Sequence, residues 1–384
     1  MSGLLVLAAP GDAFVSPAAE PRRHHVFGHG TAAQPFASSE AVLSRSSLGA
    51  TALQVMGATA GACLAVAARS RRTRRSAQNL AKPRLLVQRG DGSSWGSNRS
   101  DASTSVDTSG PLPIVKLSFG GTDEAIVNLF GGCVTSYKRC GVEWLAVRPD
   151  AKLDGSKPIS GGLPHCFPQF GPGVIQQHGF ARNLMWKLLE EPSEDGVCVM
   201  ELTDNEETRK MWPFSFRAEY RVELLEDRLK TTLLIENPVK ATSVEPCGKE
   251  FFFTAALHSY YGVGNVGACK IVGKLMGSEK LDKTEDPPKM SKATSDTIQI
   301  SKFTEEIYKD VLPGQVALQD PSKGELEIIS SGGWKDVVVW NPYGDDKMGA
   351  DGFVCVESAA LEPVTLIPGA CWDATLELVP KQKQ

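Results

Sequence analysis

The sequence has no closely spaced pair of cysteines. Its nine cysteines among 384 residues are scattered, and none follows another in a C-x-x-C spacing. The missing pairs argue against a zinc knuckle, and the odd number and irregular spacing argue against a disulfide framework. The cysteines are therefore predicted to be free, buried thiols of a protein from a reducing compartment.

The main body of the chain also lacks an excess of basic residues. The whole chain has a formal net charge of −4, but residues 1–90 carry ten arginines and one lysine against three acidic residues. This first segment has a net charge of +8, which leaves −12 for the rest. A body that binds nucleic acid would need a basic stripe of its own. We therefore expect a basic address segment on an acidic, enzyme-like body with no nucleic-acid partner.

Acidic residues are scarce in roughly the first hundred positions, which are rich in Ala, Ser, Gly and Arg. This composition is typical of organelle transit sequences. Residues 1–108 are predicted to be a targeting segment that is removed, together with a polar linker that runs from Gly90 to Gly110. The folded body is then predicted to begin near Leu112 and to span 112–381.

One stretch of the targeting segment is uncharged for 21 residues, from Leu48 to Ala68, and RSRRTRR follows it. Its length would cross a bilayer, with the arginines as a flank. It is rich in Ala, Gly and Thr rather than Leu, so its insertion would be marginal. A membrane tether through 48–68 is therefore the alternative, and we expect no stable span in the mature protein.

The body lacks long helical periods and instead alternates apolar and polar residues between Gly, Pro and charged turns. In FSFRAEYRVELLEDRLKTTLLIENP, for example, LEDR is predicted to be a hairpin turn between two strands. No internal repeat is visible. The pattern predicts one all-β domain, a sandwich or a barrel. It leaves the oligomeric state open.

Histidine is scarce, and only His165, His178 and His258 lie in the body. His165, in the segment LPHCFP, is predicted to be structural or part of a pocket wall. His178 precedes a glycine and stands four residues before Arg182, which favours a polar pocket over a bare surface position. His258 ends the apolar strand FFFTAAL, where a histidine is either a satisfied core residue or a tuned acid or base.

Glu357 is the best acidic candidate. It follows the apolar strand GFVCV and is predicted to lie on the same face as Cys355. A partly buried carboxylate has a raised pKa and can act as a general base. The alternative is a glutamate in water at the end of a strand.

The segment GVGNVG, Gly262 to Gly267, matches the G-x-G-x-x-G fingerprint of dinucleotide-binding proteins. That fingerprint needs a parallel strand before it and a helix after it. The body has no alternating strand and helix units, so a nucleotide-binding oxidoreductase is disfavoured.

Several motifs in order, GGLPHCFPQFGP, QQHGFARN, WPFSFRAEYRVEL, ALHSYY, DVVVWNPY and VCVES, resemble the aldose 1-epimerases. More narrowly, they resemble the glucose-6-phosphate 1-epimerase (hexose-6-phosphate mutarotase) branch. The match runs from about Val115 to Val379. It implies a single-domain, galactose-mutarotase-like β-supersandwich with an open cleft for a sugar or sugar phosphate. It also implies that no metal or cofactor takes part.

The resemblance further implies a role for particular residues. His258 would be the general acid at the ring oxygen, and Glu357 the base at the anomeric hydroxyl, on opposite sides of the hemiacetal. Gln177 and Arg182 match substrate-binding positions, and His178 would hold a sugar hydroxyl. Glu305, in FTEEIY, falls where the family has an aspartate that contacts the sugar.

The chain departs from the family at two positions. Where the family reads R-G-G, with an arginine that grips phosphate, this chain reads Ser160-Gly161-Gly162, and Gly262 stands where an arginine is frequent. Either a phosphosugar is accepted weakly, through Arg182 and Lys157 beside Ser160, or the substrate is an unphosphorylated or a different sugar. A non-catalytic carbohydrate-binding module on the same fold is the alternative to an enzyme.

The version of the motif with ISGG and PHCFPQFGPG looks like that of the plastid members from plants and algae. Together with the transit-like first segment, this predicts that the protein works in a plastid.

Overall fold

The computed structural model describes residues 101–238 and 249–383, all of which belong to one compact unit. The predicted targeting segment, the uncharged stretch 48–68, Cys63 and Cys247 lie outside these residues. Within the described residues, the paired strands form three antiparallel sheets. The prediction of an all-β fold is confirmed.

The described residues contain 22 strands and one α-helix. In chain order the strands are β1 (Ala102–Asp107), β2 (Ile114–Phe119), β3 (Asp123–Asn128), β4 (Cys133–Arg139), β5 (Val142–Glu143), β6 (His165–Cys166), β7 (Lys187–Glu194), β8 (Val197–Thr203), β9 (Arg217–Leu224), β10 (Leu229–Glu236), β11 (Phe251–Leu257), β12 (Tyr260–Gly262), β13 (Lys270–Gly273), β14 (Glu279–Asp282), β15 (Lys289–Lys292), β16 (Thr297–Ile298), β17 (Thr304–Tyr308), β18 (Gly314–Asp320), β19 (Gly324–Gly332), β20 (Asp336–Asn341), β21 (Phe353–Leu366) and β22 (Cys371–Gln382). The helix is α1 (Glu206–Met211).

The three sheets differ in size. The first has the order β1-β2-β3-β4-β5, and the largest has nine strands in the order β16-β13-β18-β19-β22-β10-β9-β8-β7. The third has the order β15-β14-β17-β20-β21-β11-β6, and β12 pairs with β21 beside it. Their buried faces meet in one large apolar cluster that includes Leu117 from the first sheet, Tyr220 from the second and Val339 from the third.

The central hairpin of the nine-stranded sheet follows from its sequence pattern. Along β9 and β10 every second side chain is buried and the others are partly exposed. This is the burial that alternating apolar and polar residues produce when one face of a sheet covers the core. Leu225 donates its N–H to the carbonyl of Arg228 at 2.9 Å and closes the turn. The predicted LEDR turn is confirmed.

The ordered fold begins earlier than the sequence indicated. The predicted linker from Gly90 to Gly110 contains β1, which pairs with β2 from Ala102 opposite Phe119 to Asp107 opposite Ile114. Thr104 also donates its hydroxyl to the carbonyl of Glu194 at 2.8 Å. β1 is an edge strand that is mostly exposed. Its polar composition therefore resembles that of a linker, although its backbone is paired.

Three other expectations concern cysteine, the glycine motif and membranes. The seven described cysteines are free, but Cys140 and Cys371 are exposed rather than buried. GVGNVG runs from the end of β12, an antiparallel strand, into a single 3-10 turn over Val266–Ala268. It therefore does not join a parallel strand to an α-helix. Among the described residues no helix has the length and apolarity needed to cross a membrane.

Candidate active site

A cavity of about 260 Å³ opens on the eight-stranded sheet and gathers most of the polar residues that the sequence singled out. All seven predicted site residues line it: Ser160, Gln177, His178, Arg182, His258, Glu305 and Glu357. Eight more residues complete the wall: Arg148, Phe170, Gly171, Pro172, Tyr260, Lys283, Val338 and Trp340. The structure therefore brings together residues that are up to 197 positions apart in the predicted set.

His258 and Glu357 lie side by side at this cavity. His258 occupies the two-residue link between β11 and β12, and both of these strands pair with β21, which carries Glu357. The His258 Nδ1 atom lies 3.4 Å from Glu357 Oε1. The expectation that the two residues face each other from opposite sides of the hemiacetal is wrong, because adjacent strands of one sheet hold them as neighbours.

Burial opposes charge on both members of the pair. It lowers the pKa of His258 to about 3, with a further contribution from the neighbouring His178 and Arg182. Burial also raises the pKa of Glu357 well above its usual value, helped by the charge of Glu305. Both directions favour an imidazole and a carboxylic acid over an imidazolium and a carboxylate.

The pair retains polar atoms for a ligand. Among the described residues, Glu357 Oε2 and His258 Nδ1 have no hydrogen-bond partner although both atoms are buried. A buried polar atom without a partner is costly. This arrangement is therefore typical of a site that completes its hydrogen bonds with substrate.

The segment HGFAR is fixed by its backbone. His178 has a left-handed conformation with φ of +64°, as does Gly179 with φ of +71°. A Cβ on Gly179 would lie 2.1 Å from the Phe167 carbonyl oxygen, so only glycine fits there. Arg182 donates from Nη2 to the carbonyl of Gln177 at 2.9 Å and closes the segment on itself.

His178 presents one ring nitrogen to the cavity side of this segment. Its Nδ1 accepts the N–H of Gly171 at 3.2 Å, so a neutral ring carries its proton on Nε2. Burial, together with the charge of Arg182, lowers the pKa of His178 to about 4. The ring therefore stays neutral at physiological pH, and its Nε2 lies 3.3 Å from the side-chain amide nitrogen of Gln177.

Aromatic side chains surround the catalytic candidate His258. Its ring stacks on Tyr260 with centroids 4.9 Å apart and planes within 9°, and Trp340 meets it edge-on at 5.9 Å. Tyr260 is the first residue of β12, two positions after His258. The indole of Trp340 belongs to the DVVVWNPY motif, but nothing in that motif by itself placed it in the cavity.

Two cationic residues of the cavity were not anticipated. Lys283 forms an ion pair with Glu305, and Arg148 forms a bidentate pair with Asp150 through Nε at 2.9 Å and Nη2 at 2.6 Å. Neither position belongs to a sequence motif. In contrast, Lys157 is exposed and is absent from the described lining of the cavity.

His165 is structural. It is buried in β6 outside the cavity, with its ring stacked on Trp186 at 4.9 Å and edge-on to Tyr220 at 4.4 Å. Its Nε2 lies 3.1 Å from the Gly132 carbonyl oxygen. Burial lowers the pKa of His165 to about 4, so the ring is neutral under physiological conditions.

One group of side chains has donor atoms suited to a metal ion. A nitrogen of His258, the sulfur of Cys355 and an oxygen of Glu357 all lie within 4.8 Å of one another. Such nitrogen, sulfur and oxygen ligands are those that Zn²⁺ accepts. The expectation that the protein uses no metal stays a prediction.

Known proteins share this chain's sequence pattern. The aldose 1-epimerase family model matches residues 113–378. A relative from Cenchrus ciliaris, provisionally named a glucose-6-phosphate 1-epimerase, is 31% identical over 272 residues, which cover 66% of this chain and 80% of the relative. A relative of the same provisional name from Escherichia coli K12 is 34% identical over 266 residues, with 64% and 80% coverage.

Solved structures share the fold. A provisionally assigned mutarotase from Salmonella typhimurium has a TM-score of 0.61 and 25% identity, covering 73% of this chain and 94% of that protein. A galactose mutarotase-like protein from Clostridium acetobutylicum has a TM-score of 0.58 and 18% identity, covering 74% and 99%. These similarities confirm the predicted galactose-mutarotase-like fold. The family model matches more than half of the length of this chain, and the chain therefore belongs to the aldose 1-epimerase family.

Proposed function

We propose that this chain is an isomerase that interconverts the α and β anomers of an aldohexose, with glucose 6-phosphate as its substrate. The observation that carries the proposal is the adjacency of His258 Nδ1 and Glu357 Oε1, 3.4 Å apart at the polar cavity. A proton acceptor and a proton donor are both needed to open a cyclic hemiacetal, and these two groups supply them.

The adjacency matches the geometry of the reacting group. The anomeric hydroxyl oxygen and the ring oxygen are both bonded to C1, so an acid and a base that serve them must stand next to each other. Glu357 takes the proton of the anomeric hydroxyl while His258 gives a proton to the ring oxygen. The bond between C1 and the ring oxygen breaks, and a carbonyl forms at C1.

The second half of the reaction reverses these roles. Rotation about the C1–C2 bond turns the other face of the aldehyde toward the former ring oxygen. His258 takes the proton from that hydroxyl as its oxygen attacks C1, and Glu357 returns a proton to the new anomeric oxygen. The pair ends with the same proton count with which it began.

The first step requires an imidazolium and a carboxylate, whereas burial favours the neutral pair. Both forms hold one proton in total, so a proton shift from Glu357 to His258 is sufficient. The hydroxyls of a bound sugar would donate hydrogen bonds to the carboxylate and lower its pKa. Substrate binding itself would therefore place the proton for ring opening.

Other lining residues would orient the sugar. His178 and Gln177, whose side chains contact each other at 3.3 Å, would hold one sugar hydroxyl together. Glu305 would accept a hydrogen from another hydroxyl. The face of Trp340 offers an apolar surface for the carbon–hydrogen face of the pyranose. Glucose 6-phosphate is favoured as the substrate by the provisional names of the curated relatives and by the cationic groups of the cavity.

We further propose that the part of residues 1–108 that precedes β1 acts as a removable plastid-targeting segment, since β1 itself is paired with β2 in the folded body. Its support is the transit-like composition and the net charge of +8 over residues 1–90. A fusion of this segment to a fluorescent protein should accumulate in plastids as a shortened product. Retention at a membrane at full length would favour the tether through 48–68.

The proposed activity can be tested by saturation-transfer NMR on equilibrated glucose 6-phosphate. Purified protein should increase the transfer between the α and β anomeric proton signals in proportion to its concentration, above the spontaneous rate. Binding of glucose 6-phosphate without any increase in exchange would instead assign a non-catalytic carbohydrate-binding module.

A further inference from the structure

Ser160 and Arg148 occupy directly opposed positions on two antiparallel segments. Val147 pairs with Gly161 in an antiparallel bridge, so the next residue on one segment stands opposite the previous residue on the other. The Arg148 N–H accordingly donates to the Ser160 carbonyl at 2.9 Å. Opposed residues of an antiparallel pair have Cβ atoms about 4.5–5.5 Å apart and point to the same face.

Both side chains of this pair line the cavity. An arginine can therefore reach the same region of the cavity from either position. The family motif that this chain resembles has its arginine at the position of Ser160, whereas here the arginine stands across the pair at 148. The arginine that is missing at position 160 is thus replaced by an arginine at the facing position 148.

The guanidinium of Arg148 is already held in place. Asp150 binds its Nε and Nη2 atoms, and the arginine side chain is only 13% exposed. The guanidinium also forms a side-chain hydrogen bond with Tyr260. Asp150 and Tyr260 together occupy three of its five N–H donors, so two remain for a ligand. Because Asp150 balances the charge of Arg148, the net positive charge for an anion comes from Arg182.

The location of Arg148 fits one end of a bound hexose, a step that rests on the proposed function. His258 would serve the ring oxygen, which is bonded to C5, and C5 carries the C6 phosphate arm. Arg148 and Arg182 both act electrostatically on His258, and Arg182 acts on Glu357 as well, so it lies within reach of both ends. Lys283 is instead paired with Glu305 and acts on Glu357, at the anomeric end.

We propose that Arg148 and Arg182 together form the phosphate clamp of this enzyme, and that Arg148 takes over the part that an arginine at position 160 plays elsewhere in the family. Arg148 is then a specificity residue for phosphorylated over unphosphorylated hexose. Ser160 contributes at most a hydroxyl donor, and Lys157 contributes nothing.

The test is the ratio of kcat/KM for glucose 6-phosphate to that for glucose, compared between wild type and three variants. A hydrogen bond to a charged group contributes about 1.5–3 kcal/mol, so Arg148→Met should lower this ratio about 10- to 100-fold, mostly through KM. The double swap Arg148→Ser with Ser160→Arg should recover much of the ratio. The exposed Lys157→Met is the matched control and should leave the ratio unchanged.

Two results would overturn the inference while leaving the proposed function intact. One is an Arg148→Met ratio within about twofold of wild type, and the other is an equal loss on both sugars. Should Arg148→Met fail to fold, the double swap alone tests the clamp. A kcat/KM ratio of glucose 6-phosphate to glucose near that of wild type would support it, and loss of the preference for glucose 6-phosphate would refute it.

If the wild-type protein accelerates the anomerisation of neither glucose 6-phosphate nor glucose, the proposed function fails. The phosphate clamp is then tested separately by calorimetric measurement of sugar binding. Tighter binding of glucose 6-phosphate than of glucose, abolished by Arg148→Met, would support the clamp. Equal binding of the two sugars by wild type would refute it.

Discussion

His258 Nδ1 and Glu357 Oε1 lie 3.4 Å apart because the strands on either side of His258 both pair with the strand that carries Glu357. The pairing of β11 and β12 with β21 thus fixes the distance between the proposed acid and the proposed base. Sites on paired strands hold reacting groups more precisely than sites on loops. The adjacency also matches a substrate whose two reacting oxygens share one carbon.

The pH dependence should reflect a coupled pair that is active with one proton. As pH falls, the pair gains a second proton near the lowered pKa of His258, about 3. As pH rises, it loses its proton at the raised pKa of Glu357. We expect kcat/KM to trace a bell whose acidic side lies well below pH 6. Stopped-flow or NMR rates between pH 4 and pH 9 would check this, with circular dichroism to exclude unfolding. Measured on glucose, which has no ionising phosphate, an acidic midpoint near 6.5, the ordinary histidine value, would contradict it.

Stability should fall on mild acidification because His165 is buried as a neutral ring. Its pKa is lowered from 6.5 to about 4 in the folded protein. The unfolded state therefore takes up a proton first, and stability is lost as pH drops from 6.5 through 4. His165→Phe keeps the ring contacts with Trp186 and Tyr220, so the drop in melting temperature between pH 7 and pH 5 should be smaller than in wild type. An equal or larger drop would show that His165 does not contribute.

The conformation of HGFAR should be sensitive to a single methyl group. Gly179→Ala combines a positive φ with a contact of 2.1 Å to the Phe167 carbonyl oxygen, so it should destabilise by about 2–4 kcal/mol and displace His178 and Arg182. Gly277→Ala is the matched control, since its φ is +87° and no described atom lies within 4 Å of its Cβ. It should cost only about 1–2 kcal/mol and leave kcat/KM at the wild-type value. Equal effects of the two substitutions on activity would refute the assigned role of the segment.

Metal ions should inhibit rather than support the reaction. The proposed steps need only the two proton-carrying side chains, so dialysis against a chelator should leave the rate unchanged. Added Zn²⁺ should inhibit, because His258, Cys355 and Glu357 offer three ligand atoms within 4.8 Å. Cys355→Ser should raise the inhibitory Zn²⁺ concentration severalfold. Loss of activity on chelation, restored by metal, would contradict the metal-free mechanism.

Much of the fold could be predicted because its signal is local. The alternation along β9 and β10 is visible in the sequence, since one face of that hairpin packs on the core and the other meets solvent. The edge strand β1 was missed because neither of its faces packs fully on the core. It is exposed almost throughout, so its side chains carry no apolar pattern and its pairing with β2 depends on backbone hydrogen bonds.

The site was less predictable from the residues alone. They left His258 undecided between core histidine and acid–base catalyst, and the family resemblance supplied its role. Arg148 could not be found, because its importance depends on standing opposite Ser160, twelve residues away across irregular chain. Lys283 depends in the same way on a partner, Glu305, that a tertiary contact brings to it.

The most direct measurement of the central claim is the anomerisation rate of Glu357→Gln, by saturation transfer on glucose 6-phosphate. The amide keeps the size of the side chain but cannot accept the anomeric proton. We predict a fall in kcat of about 10²- to 10⁴-fold. The melting temperature should be no lower than that of wild type, because the raised pKa of the buried Glu357 carboxyl makes the folded protein less stable as pH rises, and an amide removes this cost. A variant that folds and exchanges the anomers at the wild-type rate would contradict the account.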